Sequence, residues 1–267
     1  MPFPTETVVS LLLLLALISF VCLHQIRIAV GSPPYRRPLA ALDLLRSALR
    51  RGAETGRPTH VSPGSGMPGG VAGSGAVSAE LLAGILLAER AAAEACRNGA
   101  PLLVTSGNAV AHLALRGGVR QAYHAHGQPQ AYHPEQVQLL AHDDSLAYAA
   151  ALSTLYVRER LEASTLVGGF QQELLLPGEE AAQRDLPQIA GSTHAQALPL
   201  MLLSTPTTLI GEEIYAAEAY LAPPGPAQAR LLTQDLLRTI VILLLILGLL
   251  YQLLQLIFTL PPLPDLS

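Results

Sequence analysis

The sequence predicts an α/β domain in three layers, with a mainly parallel sheet, flanked by an N-terminal and a C-terminal transmembrane helix. Three observations lead to this fold class. Short apolar segments alternate with amphipathic ones in the middle of the chain, and a long aliphatic run lies near each end. Short strands that alternate with helices are typical of a parallel sheet with helices on both faces. A Rossmann-like arrangement is therefore expected.

Both aliphatic runs are long enough to cross a membrane. Val8–Leu23 is mostly Val, Leu, Ile, Ala and Phe, and Thr239–Leu260 is broken mainly by two glutamines. A helix needs about 20 apolar residues to cross a hydrocarbon core about 30 Å thick. The predicted division is transmembrane helix 1 at 7–30, a basic juxtamembrane segment with a short amphipathic helix at 31–57, the α/β domain at 58–222, a linker and helix start at 223–238, transmembrane helix 2 at 239–260, and a short tail at 261–267.

The charge distribution predicts an orientation. All sixteen basic residues are arginine, and seven of them lie between Arg27 and Arg57. The positive-inside rule then places the middle domain in the cytoplasm, at the inner membrane, with both termini outside. A cleaved signal peptide is the rival interpretation, but it needs a basic segment before the apolar run, and this chain has none there. From Pro58 to Ala229 the net charge is −8, which argues against a nucleic-acid partner.

The juxtamembrane segment contains a short amphipathic helix, Leu39–Arg51, with leucines on one face and charged residues on the other. Two placements are open. The leucines enter the lipid surface while arginines contact headgroups, or they pack on the domain. The arginines proposed for headgroup contact are Arg36, Arg37, Arg46, Arg50 and Arg51.

Within the domain, hydrophobic periodicity predicts six strands and the helices between them. The strands are Thr59–Ser62, Pro101–Thr105, Gln136–Ala141, Thr165–Val167, Gln188–Ala190 and Thr207–Ile210. The helices are Ser78–Asn98, Asn108–Gln121, Ser145–Ala163, Glu179–Gln183, His194–Leu203, which must accommodate Pro199, and Gly211–Tyr220. A further helix is expected to run from Ala227 without a break into the second span.

The loops that follow parallel strands gather at one edge of a doubly wound sheet, where ligands bind. That edge is where we expect any pocket, because the loops at 64–75, 106–108, 142–144, 168–172 and 191–194 all meet there. The candidate ligand-binding residues are Gly64, Gly66, Ser106, Asn108, Asp143, Asp144 and Gly168.

The known catalytic and cofactor motifs are weak or missing. Gly64–Gly69 matches G-x-G-x-x-G, but Pro68 removes an amide and the next helix start, Ser78, is too distant. The histidines at 124, 126, 133 and 142 lack the spacing of a zinc site, and no G-x-S-x-G occurs. We expect neither a cofactor nor a metal, and enzymatic activity is left open but not favoured.

The second span carries a polar stripe. Gly248, Gln252, Gln255 and Thr259 are spaced i, i+4, i+7 and i+11, which places them on one helical face. A glutamine amide that faces lipid lacks hydrogen-bond partners, and small and polar residues on one face are how membrane helices associate. The stripe therefore predicts contact with another helix, unless Gln255 simply reaches the outer interface. The first span of the same chain offers only Ser10, Ser19 and Cys22 as polar partners, so a second copy of the chain is preferred.

Two segments resemble those of an uncharacterised family of bacterial membrane proteins: Thr59–Gly66 (THVSPGSG) and Thr205–Tyr220 (TPTTLIGEEIYAAEAY). The resemblance covers nearly the whole chain. It implies a first span, an α/β cytoplasmic domain and a C-terminal span, and it implies no activity.

From these observations the leading functional hypothesis is a membrane-anchored scaffold that self-associates into a homo-oligomer, which could form a ring. The alternative is a membrane-anchored sensor or enzyme with a small-ligand pocket at the strand-end loops. A third possibility is an accessory subunit of a larger membrane complex.

Overall fold

The computed structural model describes residues 5–30, 37–66, 78–142, 144–223 and 225–258. They form two compact units. One is an α/β unit spanning Arg36–Pro223, and the other combines Met1–Tyr35 with Pro224–Ser267. The α/β unit therefore begins earlier than residue 58 and takes in the amphipathic helix predicted for Leu39–Arg51.

The α/β unit is built on a six-stranded, all-parallel sheet with the order β3-β2-β1-β4-β5-β6. The central strands are buried along their whole length, as expected for a sheet with helices on both faces. Each of the six predicted strands is present. The bounds are β1 Thr59–Gly64, β2 Leu102–Ser106, β3 Val137–Leu139, β4 Ala163–Gly169, β5 Gln188–Ser192 and β6 Thr207–Ile210.

Helices cover both faces of the sheet and make the three predicted layers. One face packs against α2 Ala40–Thr55, α3 Ala79–Asn98, α4 Ala109–Ala125 and α8 Glu213–Leu221. The other packs against α5 Ser145–Arg158, α6 Leu175–Gln183 and α7 Ala197–Ser204. Alternate strand residues face the two layers: Val61 and Val104 enter the first core, whereas Leu103 and Leu166 enter the second.

Of the two placements open for α2, the structure has the helix packed on the domain. Leu42, Leu45 and Leu49 are at most 1% exposed and belong to the first core. Three of its neighbouring arginines have partners inside the domain: Arg37 pairs with Glu213, Arg46 donates to the carbonyl of Tyr220, and Arg51 pairs with Glu162. Arg50 is exposed, and Arg36 lies outside the described residues. Headgroup contact by these arginines stays a prediction.

Several helix boundaries differ from those expected, and two of the differences have a clear physical reason. The fifth helix ends at Arg158 instead of Ala163, because Ala163 must already be extended to pair with Thr59 in the sheet. The seventh begins at Ala197 instead of His194, which places Pro199 in its first turn. The missing N–H of proline costs nothing there, since the amides of a first turn have no partner within the helix.

The helical unit contains α1 Thr5–Ala29 and α9 Pro226–Phe258, which contact one another. Nδ1 of His24 lies 3.1 Å from Oγ1 of Thr233, whose own proton goes to the carbonyl of Ala229. His24 therefore acts as the donor, and its buried imidazole links the two helices.

Among the described residues, one helix is long and apolar enough to cross a membrane, Pro226–Leu250, and its side chains from Leu243 to Leu250 are exposed. Leu17–Ala29 is a shorter apolar helix. Of the predicted stripe, Gly248, Gln252 and Gln255 lie in α9, and Thr259 lies outside the described residues.

Candidate functional site

The strand order creates a switch point between β1 and β4. These strands are neighbours, but the chain leaves β1 for α3 on one face of the sheet and leaves β4 for α6 on the other face. Connections that depart in opposite directions open a crevice at the carboxyl ends of the two strands, and ligands of open α/β sheets bind there. Gly64 and Gly66 at the end of β1 and Gly168 in β4 all lie at this edge, as expected.

Backbone hydrogen bonds join the end of β1 to β4 on one side and to the residue after β2 on the other. The amide of Gly66 donates to the carbonyl of Gly169 at 3.3 Å, and the amide of Gly107 donates to the carbonyl of Gly64 at 3.3 Å. Gly168 has φ +144°, and a Cβ there would lie 2.3 Å from the carbonyl oxygen of Pro63. Only glycine fits this close approach.

The side chains of three predicted ligand-binding residues form hydrogen bonds with nearby backbone groups. Oδ1 of Asn108 caps α4 by accepting from the amides of Val110 and Ala111, and Oδ1 of Asp144 caps α5. Oγ of Ser106 donates to the carbonyl of Asn108. Asp143 lies outside the described residues. The ligand-binding role of this set stays a prediction.

A carboxylate–imidazole pair lies at the same edge. Nε2 of His194, which follows β5, is 2.8 Å from Oε2 of Glu80 in the first turn of α3. Glu80 is 8% exposed, and its burial raises the pKa of the carboxyl group, an effect that the neighbouring His194 opposes. The pair can exchange a proton and offers both a donor and an acceptor to a bound molecule.

Ser65 adds an unsatisfied hydroxyl to the edge. It directly follows β1, is fully buried, and its Oγ has no hydrogen-bond partner among the residues that the structure describes. A buried hydroxyl without a partner costs about 1–3 kcal/mol, so such atoms usually meet a ligand, a water or another protein group.

Beneath this edge, polar side chains form a hydrogen-bonded chain across the sheet, on the face that α5, α6 and α7 cover. We call it the buried polar chain. Its successive members are Ser62, Tyr148, Thr105, His60, Ser164, Tyr156, Gln188 and Thr205, joined at 2.5, 2.8, 2.9, 2.9, 2.6, 3.4 and 3.0 Å. Every member is at most 4% exposed. Hydrogen bonds in such a low-dielectric interior are strong, and each unpaired group there would be costly.

His60 is the centre of the buried polar chain. Nδ1 meets Oγ of Ser164 and Nε2 meets Oγ1 of Thr105, so both ring nitrogens face hydroxyls and no carboxylate. Burial lowers the pKa of His60 to about 3, which keeps the ring neutral at physiological pH. Burial likewise raises the pKa of the Tyr148 and Tyr156 hydroxyls. The buried polar chain is therefore uncharged.

Sequence reasoning missed Glu80, His60 and the two tyrosines. Glu80 looks like an ordinary first-turn acid, and only the fold brings it to His194. His60 alternates with Ser62 along β1, and this polar alternation inside a buried strand was the available signal. No group of three or more His, Cys, Asp or Glu side chains in the described part of the chain could hold a metal ion.

Fold and site together define a class of protein: a doubly wound α/β domain, with a glycine-lined switch point, carried on a chain with a long apolar helix. The chain belongs to the family described as a domain of unknown function, DUF6754, which matches residues 2–261. This confirms that an uncharacterised family covers nearly the whole sequence. No curated protein and no solved structure matches the chain.

Proposed function

We propose that the protein is a membrane-anchored receptor for a small polar molecule, which binds at the carboxyl edge between β1 and β4. The observation that carries the proposal is the switch point itself, with α3 and α6 leaving neighbouring strands toward opposite faces. This is the place where open α/β sheets bind ligands.

The side chains at this edge favour a ligand without a phosphate group. In dinucleotide-binding domains a pyrophosphate sits on the N-terminus of the helix after β1. Here Oγ of Ser78 already accepts from the amide of Leu81, and the carboxyl group of Glu80 occupies the first turn. His194, Glu80 and the hydroxyl of Ser65, which has no partner among the described residues, instead suit a neutral or cationic molecule that hydrogen-bonds to them.

The anchor in this proposal is α9, supported by its apolar segment Pro226–Leu250. The arginines between Arg27 and Arg57 support a domain on the cytoplasmic side of the inner membrane, with both termini outside. Ligand occupancy would then be sensed at the inner surface of the membrane.

The receptor proposal predicts that a small molecule co-purifies with the chain. We expect mass spectrometry of the protein, purified in a mild non-ionic detergent and then denatured, to find one compound at near-stoichiometric amounts. Glu80→Gln and His194→Ala should each lower its occupancy at least tenfold, because each removes half of the pair that contacts it.

The matched control is His126→Ala, which removes an exposed histidine at the C-terminal end of α4, away from this edge. It should retain the compound at the wild-type level. A compound retained equally by all four proteins, or enriched in none of them, would refute binding at this pair.

Self-association is the second candidate function, and α9 supplies the observation that favours it. The leucines and isoleucines of 243–250 are exposed, and the position where Gly248 would carry a Cβ has no other atom within 4 Å. Gln252 and Gln255 follow on the same helical face. In a bilayer this face gains from contact with another copy, by roughly 0.6–2 kcal/mol for each interhelical hydrogen bond. Repeated contacts would build the scaffold or ring, alone or with other membrane subunits.

Gln252→Leu combined with Gln255→Leu should convert the oligomer toward monomers, because the helix face loses its interhelical hydrogen bonds. Light scattering in mild detergent measures the protein mass directly. The control, Leu243→Ala with Leu250→Ala, alters two exposed apolar side chains on the opposite helical face and should leave the mass unchanged. A wild-type monomer, or an oligomer that both double variants preserve, would count against this candidate.

A further inference from the structure

A cleft lies at the opposite, amino edge of the sheet. It has a volume of about 320 Å³ and is formed by the loops that lead into β1, β4 and β5, which are neighbours in the sheet. The side chains that line it include Arg57, Tyr156, Glu159, Arg160, Leu161 and Arg184.

Backbone hydrogen bonds tie these loops to one another. The amide of Glu162 donates to the carbonyl of Pro58 at 3.0 Å, and the amide of Ser164 donates to the carbonyl of Pro187 at 2.9 Å. The carboxyl group of Glu162 also pairs with Arg51 at 2.7 Å. The walls of the cleft are therefore joined through the main chain, and a ligand would meet a preorganised site.

The cleft is positively charged on a domain that is otherwise acidic. Three arginines line it against one acid, Glu159. Arg184 pairs with Glu180 at 2.5 Å, whereas Arg57 and Arg160 form no ion pair within the described ranges. The segment from Pro58 to Ala229 carries a net charge of −8, so the charge of the cleft is opposite in sign to that of the surrounding domain.

Two largely buried side chains lie at the base of the cleft. Tyr156 is 3% exposed and Leu161 is 8% exposed, and the Tyr156 hydroxyl points inward to Oγ of Ser164. Planar guanidinium forks match the oxygens of phosphate in bidentate geometry.

We propose that this cleft binds the phosphate group of a phosphorylated ligand, held between Arg57 and Arg160 with Arg184 beside them. The volume accommodates inorganic phosphate or a phosphorylated headgroup. The ligand is either a soluble phosphate compound or an anionic lipid, and both present the same group to the arginines. The proposal uses none of the residues of the carboxyl edge and does not depend on the receptor proposal.

The test has two arms, both on the full chain. In the first, inorganic phosphate is titrated into protein in a non-ionic detergent at constant ionic strength, and the thermal unfolding midpoint is followed. In the second, the chain is reconstituted into nanodiscs that contain phosphatidylglycerol in phosphatidylcholine, and native mass spectrometry counts the phosphatidylglycerol molecules retained after release. Arg57→Gln with Arg160→Gln should abolish the saturable rise in the midpoint, or lower the number of retained lipids by one.

The control is Arg116→Gln with Arg120→Gln, which removes two exposed arginines of α4 that likewise form no ion pair in the described part of the chain. It should behave as wild type in both arms. Loss in the lipid arm identifies a headgroup, and loss in the phosphate arm alone identifies a soluble ligand. The proposal is overturned if the two double variants are indistinguishable in both arms.

Discussion

Replacing Gly84 with alanine should destabilise the α/β unit by about 3 kcal/mol, although alanine is the better helix former. Gly84 lies in α3, where a Cβ would be 2.3 Å from the carbonyl oxygen of Val167 and 2.7 Å from Cβ of Pro63. Both neighbours belong to sheet strands, so the helix itself would have to move away. Overpacking of this kind costs about 1–3 kcal/mol. We expect a value at the upper end of this range, because the obstructing atoms include a backbone carbonyl that cannot rotate away.

The measurement is urea unfolding of the chain in a non-ionic detergent, followed by tyrosine fluorescence. Gly117→Ala is the matched control, since Gly117 is also inside a helix, α4, but has nothing within 4 Å of the added Cβ. That variant should gain up to about 1 kcal/mol from helix propensity. Equal effects of the two substitutions would show that α3 does not need the close approach.

Acid should destabilise the folded chain through His60. The unfolded chain binds a proton at His60 near the ordinary pKa of 6.5, whereas the folded chain binds it only near 3. Between these values the unfolded state holds more protons, so stability is complete above about pH 6.5 and falls as the pH is lowered. By about pH 4.5 the loss from this residue should reach about 3 kcal/mol.

His60→Gln removes the titrating ring, and its free energy of unfolding should therefore fall by about 3 kcal/mol less than that of wild type over the same pH range. His126→Gln, at an exposed position, should follow wild type. Because the His60 variant can be too unstable to measure, nuclear magnetic resonance of histidine-labelled protein gives a second readout. The His60 ring signals should not shift between about pH 7 and pH 4.5, and a titration near pH 6 would contradict a neutral, buried ring.

Much of the fold could be predicted because its signals are local. A few apolar residues are enough to predict β2, and the periodic leucines and alanines predict α3. Ser78 marks the start of α3, because its side chain caps the helix. The boundary between α5 and β4 could not be placed this way, because the helical pattern continues past Arg158. Pairing with β1, just over a hundred residues earlier, decides where the chain becomes extended.

The candidate site was predictable only in outline. Alternating strands and helices indicate the edge where loops gather, and the glycines of 64–66 and 168 lie there. The pairing of Glu80 with His194 joins residues more than a hundred positions apart, and no spacing rule connects them. Arg57, Arg160 and Arg184 likewise come together only because β1, β4 and β5 are adjacent in space.

The buried polar chain has a consequence for how this sheet assembles. Parallel strands form from distant segments, and a slip of one residue turns every side chain to the opposite face. Apolar contacts tolerate some misalignment, but a displaced β1 would carry the His60 imidazole away from the hydroxyls of β2 and β4, and Ser62 away from the Tyr148 hydroxyl of α5, leaving both desolvated without partners. We therefore expect these side chains to destabilise folding intermediates in which the strands are out of register. Only one register of the central strands would then satisfy every buried hydrogen bond.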